Sequence, residues 1–552
     1  MATVMFYECY RPHCKLIRYQ FEVGASASAL ASRSGPIVVY LMGFYNSSWP
    51  VLRHRLQTGT HQFFQRTLVI RDPALIKRVC VTDFAYFVDR GFFFNEEVDP
   101  LAGSVLFLRG QEWRRLRAKI SPIFSPNKLK GMFPIIENTA QEFLKRVAAL
   151  PTRAGAEHVK INDEDAVLVD SEKLVGGYTA DAIVPCAFGV KSQVMDDDND
   201  PFAVALQAFY EMSLSGLFEK TMRQFWPAFS LFFRMKIIPQ KTHDFFYNIV
   251  TSVLRDRENG VVERRGDFID MMMALRNDDK NNNKAEKDED YVEIIVSANG
   301  LIAKSLDQHL KRLSLDQGPD TEGGTSGHGT HRPEVPHSAA LTTADMVISA
   351  NAFIIFLGGF ETTSSTLAFL LLELAANPEV QEKMRREIQD VLGERELTYE
   401  VLHELEYMEM VIQETLRLYP PFPSIQRQCT RDYTIPETGY VVEKGTIVLF
   451  PTLAIQRDEQ YWPAAGSFIP ERWSGPAPPP GVYMPFGDGP RYCIGKRFAM
   501  IQMKCCLARL LQRVRVSPAP FAEPRSEPFE PDPRSPLTLH PKDSRITISF
   551  IR

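Results

Sequence analysis

The chain has 552 residues, of which 44% are hydrophobic and 24% charged, and its net charge is −5 at pH 7. This composition is ordinary for a globular protein and excludes a disordered chain, a collagen-like fibre and a polytopic membrane protein. The balance of charges provides no global positive field, so we expect no nucleic-acid partner. Phe is unusually frequent, with 37 residues, which indicates either a very aromatic core or an apolar pocket.

The N-terminal part of the chain carries few structural signals. Residues 1–34 contain no long apolar run, and the first apolar stretch, Pro36 to Tyr45, has about ten residues where a membrane helix needs about 20. We therefore expect no membrane anchor here. Strands are predicted at Pro36–Leu41 and Thr67–Ile70. The stretch from Phe225 to Ile238 is apolar with one Trp and two cations, which fits either a buried helix pair or a patch that dips into a membrane surface.

The segment from Arg276 to about Leu341 breaks the globular pattern. It is rich in Asn and charged residues at its start and in Gly, Pro, Ser, Thr and His at its end. Such a composition buries too little apolar surface to offset the entropy of ordering, so a disordered loop is predicted, with a short helix at Tyr291–Leu313 inside it.

Most of the remaining chain favours helix. The longest helix is predicted from Thr342 to Ala376 and is apolar nearly all round, so it should cross the core. The pair Gly358-Gly359 at its midpoint costs about 1 kcal/mol per residue relative to Ala, which suggests that another group approaches the backbone there. Further elements are predicted as helices at Pro378–Leu392, Leu405–Leu418 and Lys496–Arg513, and as strands at Tyr440–Phe450 and Ile546–Ile551. The predicted fold class is mainly α with small β-sheets.

One of the eight Cys has an unusual context. The others show no C-x-x-C pairing, so we expect reduced, mostly buried thiols and no zinc site. Cys493 lies in PFGDGPRYCIGKRF, residues 485–498, just before a predicted helix whose dipole, with Arg491, should lower the pKa of the thiol. Gly489 and Gly495 allow unusual dihedrals that turn backbone N–H groups toward the sulfur, and Phe486 can cover it. Such a thiolate is suited to iron; the alternative is a buried structural Cys in a turn.

The pattern Phe486-x-x-Gly489-x-Arg491-x-Cys493-x-Gly495 resembles the haem-binding loop of the cytochrome P450 superfamily, the haem–thiolate monooxygenases. The resemblance covers one haem-enclosing domain at 35–552, apart from a poorly matching insert at 46–66 and the loop 276–341, and residues 1–34 form an atypical N-terminal segment. The stretches that resemble its microsomal insect xenobiotic-metabolising group are Phe84 to Gly91, Asp99-Pro-Leu101, Trp113 to Arg117 and Met132-Phe-Pro134.

The resemblance implies a haem b cofactor, iron protoporphyrin IX, with Cys493 as the axial ligand of the iron. Thiolate ligation pushes electron density onto the iron and favours O–O cleavage. The residues that would bind the two anionic propionates are Trp113, Arg117, Arg427 and Arg491; the alternative for each Arg is a surface position.

The resemblance also implies a structural triad of Glu414, Arg417 and Arg472. The i,i+3 spacing places the first two on one helix face. A buried carboxylate needs more than one donor to offset its desolvation. We interpret the triad as architecture behind the cysteine loop, without a chemical role.

On the distal side, Gly358 and Gly359 would leave a groove for dioxygen against the haem. Thr362 would point at the oxygen site, and Glu361, about 100° round the helix, would face a water channel and feed protons to it. Alternatively, Thr362 only back-bonds within its helix and Glu361 pairs with an Arg. The residues that would line an apolar substrate pocket, and so account in part for the Phe excess, are Phe92, Phe94, Phe107, Phe353, Phe356, Phe422 and Ile425.

The implied activity is insertion of one oxygen atom from O2 into a small lipophilic substrate: a xenobiotic, a steroid or another endogenous lipid. Electrons would come from NADPH through cytochrome P450 reductase, with cytochrome b5 as a second donor. The cations that would dock the reductase are Lys119, Lys128, Lys130, Lys496 and Arg497. The expected location is the cytosolic face of the endoplasmic reticulum membrane, with peripheral membrane contact. The alternatives are a haem–thiolate isomerase or dehydratase, and a non-catalytic or crippled haem-binding protein.

Overall fold

The computed structural model describes residues 4–10, 13–19, 58–62, 65–92, 94, 99–153, 157–161, 164–197, 199–210, 236, 238–264, 266–282, 343–436, 438–520, 528–532, 535 and 538–551. The predicted strand Pro36–Leu41 and the predicted helix Tyr291–Leu313 lie outside these residues. So does most of the apolar stretch 225–238, of the insert 46–66 and of the loop 276–341.

Helices dominate the described residues, which confirms the predicted fold class. The α-helices are α1 (Pro73–Lys77), α2 (Gly110–Ile120), α3 (Pro126–Ala149), α4 (Ser171–Phe188), α5 (Pro201–Tyr210), α6 (Gln240–Glu258), α7 (Phe268–Asn282), α8 (Thr343–Ala376), α9 (Pro378–Leu392), α10 (Glu406–Leu418), α11 (Thr452–Gln456) and α12 (Lys496–Leu511).

The central helix α8 has 34 residues, close to the predicted span. From Asp345 to Ala376 it is long and apolar enough to cross a membrane by length and composition alone. In the fold it packs inside the protein instead, against α4 and α6, and its C-terminal half is almost completely buried. A helix that is apolar all round needs neighbours on every side, and these helices provide them.

The strands form four small sheets. Their bounds are β1 (Val4–Tyr10), β2 (His13–Tyr19), β3 (Thr58–Gln62), β4 (Gln65–Val69), β5 (Glu157–Ile161), β6 (Glu164–Asp170), β7 (Ile425–Gln428), β8 (Tyr433–Thr434), β9 (Val441–Val442), β10 (Ile447–Phe450), β11 (Val514–Pro518) and β12 (Arg545–Phe550). Two sheets have four strands, in the orders β3-β4-β10-β7 and β11-β12-β6-β5; β1 pairs with β2, and β8 with β9. The β4–β10 pair is parallel and the others are antiparallel.

Three predictions from the sequence need correction. The predicted strand Tyr440–Phe450 is two strands in different sheets, because the chain turns at Gly445, whose φ is +88°. The segment expected to leave the globular pattern at Arg276 remains helical to Asn282, the end of α7. The end of the poorly matching insert is part of the fold, since β3 pairs with β4 over 58–62.

Candidate functional site

The cysteine loop is a tight turn whose backbone holds Cys493 in front of α12. The Cys493 N–H donates to the Phe486 carbonyl at 2.8 Å. Gly489 has a φ of +69°, and a side chain there would collide with the Cys80 carbonyl, so this position requires glycine. Gly495 has an ordinary φ of −88° and open space beside it. The expectation of an unusual dihedral is therefore right for Gly489 and wrong for Gly495, whose contribution is its N–H.

The thiol of Cys493 is half-buried, and the protein alone does not make it a thiolate. Burial raises the pKa of Cys493, and this outweighs the opposing effects of the Gly495 N–H and of the cations Arg90 and Arg117. The expected lowering of the pKa is therefore wrong for the protein alone. A coordinated metal cation would displace the thiol proton, because a coordinating thiol is deprotonated outright.

The predicted propionate residue Arg491 is buried in the loop and its donors contact protein backbone. Its Nε donates to Val88 O at 2.9 Å, its Nη2 to Leu108 O at 2.8 Å and its Nη1 to Val105 O at 3.3 Å. The guanidinium lies over the Trp113 ring, 3.9 Å from its centroid. Arg491 therefore anchors the loop to the chain before α2, and its charge remains near the site.

Arg427 is fully buried, and most of its donors have no partner among the described residues. Its Nη1 donates to Gln426 O at 2.9 Å, whereas Nε and Nη2 have none. Arg90, which we did not predict, has the same character: its Nη2 donates to Arg491 O at 3.0 Å and its buried Nε has no partner. Arg90 belongs to the stretch Phe84 to Gly91, but no spacing in the sequence singles it out.

These arginines and Arg117 form one cluster of positive charge. Burial, and then repulsion from Arg90 and Arg427, lowers the pKa of Arg491 to about 8. Burial and Arg427 likewise lower the pKa of Arg90 to about 9. Within the described residues the cluster has a single ion pair, from Arg491 to Asp89 at 3.9 Å.

The cluster therefore carries more positive charge than the protein neutralises. Buried charges are normally paired, and buried donors normally have acceptors. A ligand with two carboxylates would supply the missing negative charge and the missing acceptors. A metal ion in the same ligand would bind the Cys493 sulfur. The donor set thus fits a haem with its propionates on the arginines and its iron on Cys493.

The expected triad is a closed network beside the cysteine loop. Both oxygens of Glu414 accept from Arg417, at 2.7 and 2.9 Å, and Oε1 also accepts from Arg472 Nε at 2.9 Å. Two further donors complete the carboxylate, Ile469 N at 2.9 Å and Trp473 Nε1 at 3.0 Å. The sequence had indicated the two arginines but neither of these additional donors.

The two central glycines of α8 differ in their surroundings. A Cβ on Gly359 would lie 2.8 Å from the Ile183 side chain of α4, whereas a Cβ on Gly358 would meet nothing within 4 Å. Gly358 therefore leaves open space beside the helix, and Gly359 allows two helices to approach. The expectation of open space beside both glycines is therefore wrong for Gly359, and a dioxygen groove at Gly358 stays a prediction.

Thr362 lies one turn after Gly358, on the same face of α8. Its Oγ1 donates to Gly358 O at 2.7 Å, so the back-bonding alternative describes the structure. The hydroxyl is partly exposed and its oxygen can still accept a hydrogen bond. Ile354, one turn before Gly358, is half-buried on this face and was not predicted.

Glu361 is buried and pairs with a hydroxyl and an imidazole from the C-terminal part of the chain. Its Oε1 accepts from Thr538 Oγ1 at 2.7 Å and pairs with His540 Nε2 at 2.7 Å. Both partners come from the chain just before β12. The sequence did not predict either of these two partners, because no local pattern shows which segment packs on this face of α8.

The predicted pocket residues separate into two groups. Phe353 and Phe356 are buried in an aromatic core, with ring centroids 4.9 and 5.2 Å from that of Phe246 on α6. At 100° per residue, Phe356 lies about 200° and Phe353 about 140° round the helix from Gly358. Both side chains therefore point away from the face with the open space, and the prediction that they line the pocket is wrong. The residues that do present surface are Phe92, Phe94, Phe107 and Ile425, which are half-buried, and Phe422, which is exposed.

Phe107 joins the two other aromatics into one apolar cluster. Its ring centroid lies 5.8 Å from those of Phe92 and Phe94. Arg109 holds the loop closed, since its Nη2 donates to Phe92 O at 2.8 Å. Among the described residues predicted to line the pocket, this cluster presents apolar surface, whereas Phe353 and Phe356 do not.

The cations expected to dock a reductase do not have equal exposure. Lys128, Lys496 and Arg497 are exposed, and Lys119 is half-buried. Lys130 pairs with Glu400 at 2.5 Å, which neutralises much of its charge. Three exposed cations therefore remain near the start of α3 and α12.

Comparison with known proteins gives a consistent result over most of the chain. The family model for cytochrome P450 matches residues 54–298 and 337–548, and its gap falls inside the segment 276–341. The chain is 33% identical over 467 residues to probable cytochrome P450 6a23 of Drosophila melanogaster, which covers 83% of this chain and 79% of the relative. It is also 33% identical over 457 residues to cytochrome P450 6a2 of the same organism, with 81% and 78% covered.

A relative from a second insect extends the comparison. Cytochrome P450 6d1 of Musca domestica is 27% identical over 492 residues, covering 85% of this chain and 83% of the relative. The family match includes the cysteine loop, the triad, the arginine cluster and the central turn of α8. The chain therefore belongs to the cytochrome P450 family of haem–thiolate monooxygenases.

Proposed function

We propose that this chain is a haem b monooxygenase that receives electrons from NADPH through cytochrome P450 reductase and inserts one oxygen atom from O2 into a small lipophilic substrate. The observation that carries the proposal is the pairing of a half-buried Cys493 with buried arginine donors that have no acceptor in the described protein. Such a site is incomplete without a dianionic ligand that also binds sulfur through a metal.

The chain's own residues have distinct tasks in this proposal. When bound, the haem supplies the redox chemistry that activates dioxygen. Cys493 holds the iron, and the Gly495 N–H stabilises negative charge on the sulfur. The unpaired donors of Arg427 and Arg90 bind the propionates. Thr362 Oγ1 holds a proton beside the open space at Gly358, and Glu361 replaces that proton.

The substrate should be apolar and small. The segment that the resemblance assigns to the pocket presents aromatic surface, with Phe92 and Phe94 both in contact with Phe107, and Ile354 adds a half-buried aliphatic side chain on α8. Apolar pockets favour apolar ligands, because each Å² of apolar surface that leaves water stabilises the complex by about 25 cal/mol. Xenobiotics, steroids and other lipids share this property.

The electron donor should be an acidic protein that docks near the cysteine loop. Lys128, Lys496 and Arg497 offer exposed positive charge there, and complementary charges steer association. We propose the reductase as the main donor and cytochrome b5 as a second one. The resemblance to the microsomal insect group supports a location at the cytosolic face of the endoplasmic reticulum membrane, with peripheral membrane contact.

The first test of the proposal is the absorption spectrum of the reduced, CO-bound protein. Thiolate ligation by Cys493 should give the strongly red-shifted Soret band, and Cys493→Ala should abolish both the shift and oxygenation. Cys429→Ala, which removes another buried thiol, should retain them. A wild-type spectrum without the red shift would refute the assignment of Cys493.

The second test distinguishes a monooxygenase from an isomerase or dehydratase that needs no O2. A monooxygenase consumes NADPH and O2 with substrate, and Thr362→Ala should keep the haem but release more hydrogen peroxide per NADPH. Thr366→Ala is the matched control, because Thr366 makes the same back-bond, to Thr362 O at 2.8 Å, from a buried position. Equal peroxide release by wild type and Thr362→Ala would overturn the role of Thr362.

A further inference from the structure

A histidine from the C-terminal segment links two acidic residues on different helices. His540 Nε2 pairs with Glu361 Oε1 of α8 at 2.7 Å, and His540 Nδ1 pairs with Glu172 Oε1 of α4. Thr538 Oγ1 contacts both Glu361 Oε1, at 2.7 Å, and His540 Nε2, at 2.9 Å. Glu361 is the residue before Thr362, so this cluster touches the acid of the proposed proton supply.

The segment that carries His540 is fixed on both helices by other bonds. Ser365 of α8 donates to Leu539 O, and Leu539 N donates to Pro421 O at 2.9 Å. Ser171 N of α4 donates to Ser544 O at 2.8 Å. The imidazole is therefore held between the helices by its backbone and does not depend on its own ion pairs for its place.

The cluster runs from the interior toward solvent. The exposed fraction of the side chain rises from 9% for Glu361 to 15% for His540 and 33% for Glu172. Glu172 lies in the first turn of α4, where the helix dipole favours a negative charge. The His540 ring thus connects the buried carboxylate of Glu361 to the partly exposed carboxylate of Glu172.

The surroundings of the ring favour its charged form. Burial by itself would lower the pKa of His540, but the hydrogen bonds and charges of Glu172 and Glu361 outweigh it and raise the pKa to about 10. The nearby charges on its own segment have other partners: Lys542 pairs with Glu530 at 2.7 Å, and Asp543 with Arg545 at 2.7 Å. His540 should therefore be a cation throughout the neutral range.

This cation matters because a relay acid must lose its proton as well as carry it. A buried carboxyl group without a positive partner keeps its proton at neutral pH, since desolvation penalises the charged form. A carboxyl group whose pKa lies far above the working pH transfers its proton slowly, because efficient transfer needs a pKa near that pH. A fixed positive charge beside Glu361 favours the carboxylate form, so a proton that binds there is readily released again.

We propose that His540, held by Glu172, is a positioning residue whose positive charge keeps Glu361 a carboxylate at rest, so that a proton arriving from solvent is passed on toward Thr362 and not retained. In each passage the Glu361 carboxylate takes a proton from hydronium in the solvent, passes that proton toward Thr362, and is again a carboxylate facing His540. This inference rests on the proposed monooxygenase function and adds a control of its proton supply. It assigns a task to two residues that the cysteine loop and the central helix motif do not include.

The first arm of the test does not need catalysis. The urea midpoint of unfolding of the full-length protein is measured from pH 6 to 10 for wild type and His540→Gln. A raised pKa stabilises the fold fully below the ordinary histidine pKa of about 6.5, and this stability is lost as the pH rises to about 10. The difference in urea midpoint between wild type and His540→Gln should therefore be largest near pH 6 and should disappear toward pH 10.

Two further variants make the first arm specific. Glu172→Gln removes one of the two acidic partners of His540, so its difference in urea midpoint from wild type should also become smaller as the pH rises. This variant keeps the test available if His540→Gln does not fold. Lys542→Gln removes an exposed charge from the same segment and should show no such change. Differences in urea midpoint that do not change between pH 6 and 10 for His540→Gln and Glu172→Gln would overturn the proposal.

The second arm measures hydrogen peroxide released per NADPH against pH in the reductase-supported enzyme. His540→Gln should release roughly tenfold more peroxide near neutral pH, less than the ~100-fold that a positioned acid or base typically contributes, because Glu361 remains in place. The excess should fall as the pH rises, because a buried carboxyl group without a cation beside it loses its proton only at higher pH. His540→Lys, which restores a cation, should keep the wild-type profile, and Glu361→Gln should release excess peroxide at every pH.

A purely structural role for His540 predicts a different result. Gln can replace the hydrogen bond to Glu361 but not the charge, so a wild-type peroxide profile in His540→Gln would overturn the proposal. Failure of the proposed function remains distinguishable, because it is detected by the CO-bound spectrum and by the consumption of NADPH and O2 in the wild-type protein. The unfolding arm gives its answer whether or not the enzyme turns over.

Discussion

Arg417 and Arg427 are both fully buried, yet their guanidinium groups have opposite surroundings. All three nitrogens of Arg417 donate: Nε and Nη2 to Glu414, and Nη1 to the Gln456 and Ala465 carbonyls at 2.9 and 2.8 Å. Among the described residues, Arg427 donates only through Nη1. The first arginine is satisfied by the protein, whereas the second has no acceptor for Nε or Nη2 in the part of the chain that the structure describes.

This difference separates architecture from a binding site. An unsatisfied buried donor costs about 1–3 kcal/mol, and more for a charged group, so a protein retains one when a ligand satisfies it. The triad should therefore stabilise the chain by itself, and the arginine cluster should become stable when the haem is bound. Mutations in the two regions should have effects on different measurements.

The largest effect on folding is expected from Glu414→Gln. The change leaves Arg417 and Arg472 without their carboxylate, and breaking a buried ion pair costs about 3–5 kcal/mol in free energy of unfolding. Urea unfolding measures this loss. Glu400→Gln is the control, because the Glu400–Lys130 pair is exposed and should contribute little. Equal losses in the two variants would contradict the distinction between a closed network and a surface pair.

The next effect is expected on haem binding, from Arg427→Leu. A hydrogen bond to a charged group contributes about 1.5–3 kcal/mol, so haem should dissociate about 10- to 100-fold more readily. Haem transfer to an acceptor protein, followed by absorbance, measures the rate. Arg385→Leu removes a buried arginine that donates to the Val514 carbonyl at 3.2 Å, and it should weaken folding while haem dissociation stays unchanged. Faster haem dissociation in Arg385→Leu, with unchanged dissociation in Arg427→Leu, would show that Arg427 does not bind the haem.

The smallest effect is expected from Trp473→Phe. It removes one of the five donors to Glu414, so the free energy of unfolding should fall by about 1–2 kcal/mol. Trp462→Phe is a close control in the same aromatic cluster, because its buried Nε1 has no partner in the described residues. A smaller loss for Trp473→Phe than for Trp462→Phe would show that packing, and not the hydrogen bond, decides the contribution of these rings.

Local sequence was sufficient for features set by neighbours along the chain. The helices at Pro378–Leu392 and Glu406–Leu418 agree with prediction to within a residue, because apolar period and proline position determine them. The turn at Gly489 and the pairing of Glu414 with Arg417 are likewise local. These features revealed both the site and its family.

Contacts between distant segments could not be predicted in the same way. Glu361 and His540 are separated by 179 positions, and a helical pattern gives the direction of a side chain but not the segment that packs against it. The same reason explains why Phe353 proved to be core and Arg90 was missed. The sequence by itself determined most of the elements, the cysteine that we propose as the iron ligand and its loop; only the tertiary structure decided which buried charges have partners, because burial and pairing depend on segments that meet only in the folded chain.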